Sequence, residues 1–215
     1  MILRIFGLVV SGIISLVIYF EVSNFIFSSD EPNKDRLLVD LVSYVLDKLH
    51  YDPKIINDDF SIKVYDEFIE AIDSQKRFLL ESDIEMLSQY RLLIDDQINS
   101  SDITFFNTAY EALINRISEV EGFYEEILNE PFNFNIDEEI SLDYQNLNYA
   151  TNLNDLKNLW RKRLKLSALD AYASKKEIND DKSDLEKKQT KTDEEIENES
   201  RSSIKDNLKD FFQFN

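Results

Sequence analysis

The fold is decided by the stretch DITFFNTAYEALINRISEVEGFYEEILN, which runs from Asp102 to Asn129. Its apolar side chains recur every three or four residues, a spacing that places them on one face of an α-helix. Ser100 or Ser101 can cap the start of this helix, and Pro131 closes its end. The stretch therefore predicts the longest helix of the chain. The apolar stripe consists of Phe106, Ala109, Tyr110, Leu113, Ile117, Val120, Tyr124, Ile127 and Leu128.

Four more segments carry the same helical spacing, three before the long helix and one after it. Only three glycines and three prolines occur in 215 residues, so few breakers interrupt these segments. We therefore predict an all-α fold, an irregular bundle of about five helices behind an N-terminal signal or anchor helix. The first segment runs Arg36–His50, and the second runs from its cap Asp58 to about Ser74. The third runs from Asp83 to about Asn99, with the capping box Ser82-x-x-Glu85 at its head. The fourth runs from Asp155 to about Lys176 and is capped by Asn154.

Two regions depart from this pattern. Between Phe132 and Tyr149, apolar residues recur at even spacing among Asn and Asp, which predicts a short strand or an extended segment packed on the helices. The region 177–203 holds ten acidic and five basic residues against three aliphatic ones, so it reads as a solvated helix or a disordered linker with no core of its own. A weaker helical pattern follows it and predicts the start of a further helix that is cut short, which would leave Phe211, Phe212 and Phe214 without partners.

The first residues are apolar and carry one basic side chain, Arg4. Sixteen uncharged residues from Ile5 to Phe20 would span about 24 Å as a helix, and Val22–Phe27 would extend that length across a bilayer. Residues 1–29 are therefore either a signal peptide or a membrane anchor through residues 2–27, and a buried core helix is the third alternative. The predicted domains are 1–29 for export, 30–176 for the helical domain, 177–203 for the charged linker and 204–215 for the last helix.

Composition excludes several classes of function. A net charge of -19 opposes binding to nucleic acid. Without cysteine there is no disulfide, thiolate metal site or cysteine nucleophile, and the single histidine, His50, excludes two-histidine metal sites. With glycines only at Gly7, Gly12 and Gly122, no phosphate-binding loop is present. We therefore expect no cofactor and no metal.

Several local groups have both a chemical and a structural interpretation. His50 ends the first predicted helix, where the helix dipole favours a cation, and nothing beside it announces a nucleophile. Adjacent acids do not share a helix face and are usually solvated. The basic run Trp160–Lys165 could bind an acidic partner, although pairing with acidic neighbours is the simpler interpretation; Phe78-Leu79-Leu80 most simply fills a core. The paired acids are Asp58-Asp59, Asp95-Asp96, Glu125-Glu126 and Glu138-Glu139.

Two stretches resemble the N-terminal domain of tail-specific proteases, the carboxy-terminal processing peptidase family. The first is the helix Phe60–Ile72 together with six residues between Asp73 and Asp83 that match a pattern of the family. The second, Leu159-Trp160-Arg161-Lys162-Arg163-Leu164-Lys165, is similar to a Leu-Trp-basic-Leu-Lys helix of the family. The resemblance covers roughly Leu37 to Tyr172, with a weaker match from Arg201 to Phe212. The motif residues after the first helix are Asp73, Arg77, Phe78, Leu79, Ser82 and Asp83.

The resemblance implies an exported serine-type endopeptidase system that acts on the carboxyl ends of proteins in the cell envelope. In that family the helical domain precedes a PDZ domain and a core with a Ser-Lys dyad. No residue of this chain matches the dyad, so we assign no catalytic residue and leave open whether the chain itself is an enzyme.

The function that we predict is a non-catalytic scaffold that handles substrates or an adaptor protein, acting with the PDZ and catalytic portion of a protease. The expected location is the periplasm or the periplasmic face of the inner membrane. A stand-alone, membrane-anchored helical adaptor is the alternative. A hydrolase with an unrecognised site is a third hypothesis.

Overall fold

The structure is a computed structural model that describes residues 32–45, 55–186 and 190–213. Its helices confirm the predicted all-α class. Residues 1–29 and His50, on which the export and histidine predictions rest, lie outside the described residues. The helices are α1 (Pro32–Tyr44), α2 (Asp58–Ile72), α3 (Glu81–Ser88), α4 (Ile94–Asn99), α5 (Thr104–Asn129), α6 (Leu153–Glu186) and α7 (Asp193–Gln213).

The chain divides into two compact units. The smaller contains α1 and Ile98–Ile103, where the Ser101 hydroxyl donates a hydrogen bond to the Asp40 carboxylate. The larger contains Ile55–Gln97 and the chain from Thr104 onward. Across 32–45, 55–186 and 190–213, no helix combines the length and the apolar character needed to cross a bilayer.

The predicted third helix is wrong as a single element, because it is divided into α3 and α4. Between them, hydrogen bonds from Tyr90 N to Leu87 O (3.0 Å) and from Leu93 N to Tyr90 O form tight turns. A side chain of α2 contacts the start of α4: the buried Ser61 Oγ accepts a hydrogen bond from Asp95 N at 2.8 Å. The Ser61 hydroxyl in turn donates to the Asp95 carboxylate at 2.6 Å. A side chain 34 residues away therefore stabilises the second start, and no local pattern announces it.

The helix α5 begins at Thr104, two residues later than predicted. It has 26 residues and α6 has 34, so the prediction that this stretch forms the longest helix is wrong. Ser101 has φ of 52°, in the left-handed region, and neither Ser100 nor Ser101 occupies the cap position. Instead, the N–H of Phe105 donates to Gln97 Oε1 at 3.0 Å. The predicted serine cap is wrong because a side chain of α4 supplies the acceptor.

Two other helices begin with an asparagine slightly before the residue predicted. Asn57, not Asp58, caps α2 by accepting a hydrogen bond from Phe60 N at 3.2 Å. Asn152, not Asn154, provides the side-chain acceptor at the head of α6. Both corrections keep the chemistry of the prediction, since the oxygen of a short polar side chain still accepts from the free N–H groups of the first turn.

The main hydrophobic core lies among α5, α6, α7 and the loop that precedes α3. The predicted stripe on α5 is correct in its second half, whereas Tyr110 is 45% exposed. Phe105, not the predicted Phe106, is fully buried, and its ring contacts Tyr65 and Phe68 of α2 at centroid distances of 5.5 and 5.3 Å. The main core consists of Phe78, Leu80, Val120, Tyr124, Ile127, Leu128, Leu156, Trp160, Leu164 and Phe212.

The segment between α5 and α6 is extended, in agreement with one of the two predicted alternatives. Across the residues that the structure describes there is no strand, and the nearest feature is an isolated parallel bridge between Leu80 and Ala150. That bridge includes a hydrogen bond from Glu81 N to Ala150 O at 2.9 Å. The segment thus touches the head of α3 without forming a sheet.

The described part of the acidic region beyond Lys176 is largely helical, in agreement with the solvated-helix alternative. The helix α6 continues to Glu186, ten residues past the predicted end. The next helix, α7, buries Ile196 and Ser200 completely or nearly so, at 1% and 0% exposure. The prediction that 177–203 contributes nothing to a core is therefore wrong, because one face of α7 packs on α5 and α6 while its acidic face stays in solvent.

Candidate functional site

The two stretches that carry the family resemblance meet in space, and the first is shaped by Asp73. Its buried carboxylate accepts three backbone hydrogen bonds, from Arg77 N at 2.8 Å, Phe78 N at 3.1 Å and Leu79 N at 2.9 Å. Lys76, with φ of 49°, lets the chain turn back over this carboxylate. Burial raises the pKa of Asp73, and the hydrogen bonds from the three N–H groups oppose that rise.

The same loop places three apolar residues in the core. Phe78, Leu79 and Leu80 are 3%, 0% and 5% exposed, which confirms that Phe78-Leu79-Leu80 fills a core. Trp160 of the second stretch reaches this loop from α6, and its indole Nε1 donates to the Arg77 carbonyl at 2.6 Å. The Trp160 and Phe78 rings are 5.8 Å apart between centroids. We use the name motif junction for the following residues: Asp73, Arg77, Phe78, Leu79, Leu80, Trp160 and Arg163.

The head of α3 is held by an ion pair that the sequence did not reveal. Asp83 accepts the Leu80 N–H at 2.8 Å, so the Ser82-x-x-Glu85 capping box is wrong and Asp83 takes its place. Arg116 of α5 donates to both oxygens of Asp83, with Nε at 2.8 Å and Nη2 at 2.9 Å. These bonds raise the pKa of Arg116. The available sequence signal was Arg116, a charged residue at a position where the helical spacing of α5 would place an apolar one. A partly buried ion pair explains it.

The basic run on α6 is divided between two faces. Arg161 and Lys165 both bind the carboxylate of Glu138, with Lys165 Nζ at 2.7 Å. Lys162 donates to the Glu139 carbonyl at 3.1 Å. The hydrogen bonds from Arg161 and Lys165 lower the pKa of Glu138 to about 2. Three of the four cations therefore fasten the extended segment to α6, as the simpler interpretation predicted. The fourth, Arg163, donates instead to the Gln75 carbonyl in the loop after α2.

The helix α7 closes the core from the other side. Phe212, predicted to lack a partner, stacks on Tyr124 with a centroid distance of 4.9 Å, and the prediction is wrong in this respect. Glu197, 8% exposed, accepts hydrogen bonds from Phe132 N at 2.9 Å and from Arg201 Nε at 2.7 Å. Arg201 also donates to a carbonyl in the last turn of α5, Leu128 O, at 2.7 Å. The last helix is thus bonded to the end of α5 through groups that sequence patterns did not single out.

Three of the four acidic pairs contain a side chain that is hydrogen-bonded or ion-paired within the fold. The carboxylate of Asp95 is buried against Ser61, contrary to the expectation of a solvated pair. Glu126 binds Lys157 at 2.6 Å, and Glu125 lies 3.3 Å from the Lys205 amine. Within the described ranges, no three acidic or histidine side chains are grouped so that they could hold a metal ion.

Comparisons with known proteins identify the family of this chain. The family model for the tail specific protease N-terminal domain matches residues 42–215, so the chain belongs to that family. A curated relative, the tail-specific protease of Haemophilus influenzae, is 26% identical over 144 residues. That match covers 66% of this chain and 21% of the relative, so the chain corresponds to about a fifth of the relative's length. The resemblance drawn from the two motif stretches is confirmed.

Proposed function

We propose that this chain is the non-catalytic N-terminal module of an exported tail-specific protease system. Its work is to support the catalytic portion and to handle a substrate or an adaptor protein. The observation that carries the proposal is the motif junction. There, Asp73 and Trp160 direct their polar groups at the loop backbone, so the residues behind the resemblance hold a scaffold together.

The contacts of Lys176, Ser61 and Ser200 support a non-catalytic role. A Ser-Lys dyad needs a lysine of lowered pKa beside an oriented serine. Here the pKa of Lys176 is raised, chiefly by its hydrogen bond to Asp193. The buried hydroxyls of Ser61 and Ser200 donate to the Asp95 carboxylate and to the Ile196 carbonyl. These groups already serve the fold, so peptide cleavage is assigned to a PDZ and Ser-Lys portion, whether in the same polypeptide or apart from it.

The proposed location is the cell envelope, either in the periplasm or anchored in the inner membrane and facing the periplasm. Support comes from the apolar residues 2–27, whose only basic residue is Arg4. A fusion of residues 1–60 to alkaline phosphatase, which folds only outside the cytoplasm, tests this location. We expect phosphatase activity that is lost when Leu8, Val9 and Val10 are each replaced by Asp. Activity that survives this change, or none in the unaltered fusion, would contradict export through this segment.

A proteolysis experiment tests the functional proposal. The full 215-residue chain is incubated with an unfolded peptide that ends in apolar residues, first alone and then with the PDZ and catalytic portion of a tail-specific protease. We expect no cleavage alone, and binding or faster cleavage on mixing. Cleavage by the chain alone would overturn the non-catalytic role. If the chain neither binds that portion nor speeds its cleavage, the result favours the stand-alone adaptor instead.

A further inference from the structure

A long irregular connection joins α5 to α6. It spans residues 130–152 and contains neither a helix nor a strand. Irregular connections longer than about 15 residues are uncommon in compact domains and are often functional. We call its middle part, residues 133–148, the acidic strap. None of the strap's residues is buried, and Ile136 and Leu142 are 56% and 63% exposed, so hydrophobic burial is not what attaches the strap to the domain.

The acidic strap is attached mainly by cationic side chains. Within the described chain, every hydrogen bond between the strap and residues outside it is donated by a lysine or an arginine. The strap itself contains four acidic residues and no basic one. Three of the donors lie together on α6, so the strap and this face of α6 carry opposite charges. The donors are Lys76, Arg161, Lys162 and Lys165.

The face of α6 under the strap binds peptide carbonyls as well as a carboxylate. Lys165 Nζ donates to the Ile136 carbonyl at 2.8 Å and to the Glu138 carboxylate at 2.7 Å. Lys162 donates to the Glu139 carbonyl at 3.1 Å. A nucleic acid has no peptide carbonyl, and its repeated phosphates would be repelled by a chain of net charge -19. These contacts therefore fit an acidic polypeptide whose carbonyls are not used in a helix or a sheet.

The attachment of the acidic strap is weak enough to be reversible. The side chains of Arg161 and Glu138 remain 36% and 22% exposed, and ion pairs that water reaches contribute little to stability and are screened by salt. Two ring contacts add to the attachment, Phe134 with Tyr172 and Tyr144 with Arg163. A segment held by a few exposed contacts opens locally while the core stays folded. The face of α6 is therefore exchangeable between the strap and another acidic segment.

We propose that the face of α6 formed by Arg161, Lys162 and Lys165 is a docking site for an extended acidic segment of a partner polypeptide, and that the acidic strap occupies this site in the free chain. The strap is then an autoinhibitory contact. Because it is part of the same chain, it is present at the site at a high effective concentration, which a partner segment must overcome. This inference names the partner chemistry for the proposed handling of a substrate or an adaptor and rests on that function.

The test supplies the strap's own sequence as a separate peptide. The probe is Ile-Asp-Glu-Glu-Ile-Ser-Leu-Asp, the sequence of residues 136–143, with an acetylated amino end and a carboxamide end. It is added to the full 215-residue chain, labelled with nitrogen-15, at low salt in a neutral detergent. We expect the backbone amide signals of the acidic strap to move toward those of an unstructured chain, because the peptide displaces it. The same peptide with Asn for Asp and Gln for Glu should leave these signals unchanged.

Two variants should change the peptide affinity in opposite directions. Glu138→Gln weakens the acidic strap and leaves α6 intact, so it should raise the affinity about threefold to tenfold. Lys165→Gln is made in the Glu138→Gln chain, since in the parent chain it would weaken the strap and the peptide together. In that chain it should lower the affinity by a similar factor. Lys157→Gln in the same chain is the matched control, because it removes an equal charge from α6 at a lysine that pairs with Glu126.

Four results would overturn the proposal. They are no binding to the Glu138→Gln chain, equal affinity for that chain and the parent, equal loss from Lys165→Gln and Lys157→Gln, and binding that leaves the strap signals unchanged. The protease is absent from these titrations, so their failure would not count against the proposed module, which cleavage on mixing with the PDZ and catalytic portion tests separately.

Discussion

The loop that begins at Asp73 and the extended segment around Glu138 are each held by one carboxylate, but by opposite physical means. Asp73 is buried and serves three backbone N–H groups. Glu138 lies near the surface and serves the cationic ends of Arg161 and Lys165. A buried carboxylate with fixed N–H donors is little affected by salt, whereas exposed ion pairs are screened by it. The comparison teaches that the same type of group can fix a core loop firmly or tether a surface segment weakly.

The two carboxylates also differ in the sign of their pH dependence. The pKa of Asp73 is raised by burial, so its contribution to stability is greatest below its ordinary pKa and declines as pH rises through the folded value. The pKa of Glu138 is lowered by its hydrogen bonds to Arg161 and Lys165, so its contribution is present above the unfolded pKa of 4.5 and is lost as pH falls toward about 2. The core loop and the surface tether therefore respond to acid in opposite directions.

The largest effect is expected from Asp73→Ala. The change leaves three N–H groups without their acceptor, and each such buried donor costs about 1 kcal/mol or more, so the free energy of unfolding should fall by about 3 kcal/mol. Urea denaturation followed by circular dichroism measures it. Asp73→Asn restores one acceptor oxygen without charge and should recover about half of the loss. A fall no larger than that of Asp66→Asn, an exposed control, would mean that the loop does not depend on this carboxylate.

A smaller effect is expected from Trp160→Phe. A phenylalanine ring can still pack on Phe78, but it cannot donate to the Arg77 carbonyl, so we expect a loss of about 1–2 kcal/mol. The same denaturation experiment applies. Tyr124→Phe is the control, because it removes a core hydroxyl whose hydrogen bond to Glu125 is long, at 3.4 Å. If both variants lose equally, the indole hydrogen bond contributes nothing particular to the motif junction.

Sequence reasoning succeeded for features that depend on local periodicity. The spacing of apolar residues identified α2, α5 and most of α6, because one helix face must be buried whatever packs on it. The run Phe78-Leu79-Leu80 was placed in the core because bulky apolar residues between helices have few other solutions. Local spacing gave no sign that Asp73 accepts three backbone hydrogen bonds, although the residue was among those that carried the resemblance.

Several of the failures share a cause, because side chains distant in sequence took the place of the local ones that were predicted. Ser61 starts α4 from 34 residues away, and Arg116 binds Asp83 from 33 residues away. Glu197 reaches Phe132 from 65 residues away. The acidic composition of α7 hid a buried face, because a few apolar residues at helical spacing suffice to pack a helix that is otherwise solvated.

The smallest effect on stability is expected from Lys165→Gln, which should instead change the titration midpoint of Glu138. Its carboxyl carbon signal should titrate with a midpoint near pH 2 in the folded chain at low salt. Lys165→Gln removes one of the two cations and should move that midpoint upward toward 4.5, since the lowered pKa depends on both partners. Salt at about 1 M should move it in the same direction, because the Debye length then shrinks to roughly 3 Å.

The matched comparison is Lys157→Gln. Lys157 is on α6, like Lys165, and the change breaks its exposed ion pair with Glu126 of α5. This change removes the same charge from α6 but leaves both partners of Glu138 in place, so it should leave the Glu138 midpoint within about 0.3 of the parent value. An equal shift in Lys157→Gln and Lys165→Gln would show that the general field of α6, and not the direct hydrogen bonds, sets the titration. In that case the extended segment would be attracted to a positive surface as a whole, and its attachment would not depend on the geometry at Glu138.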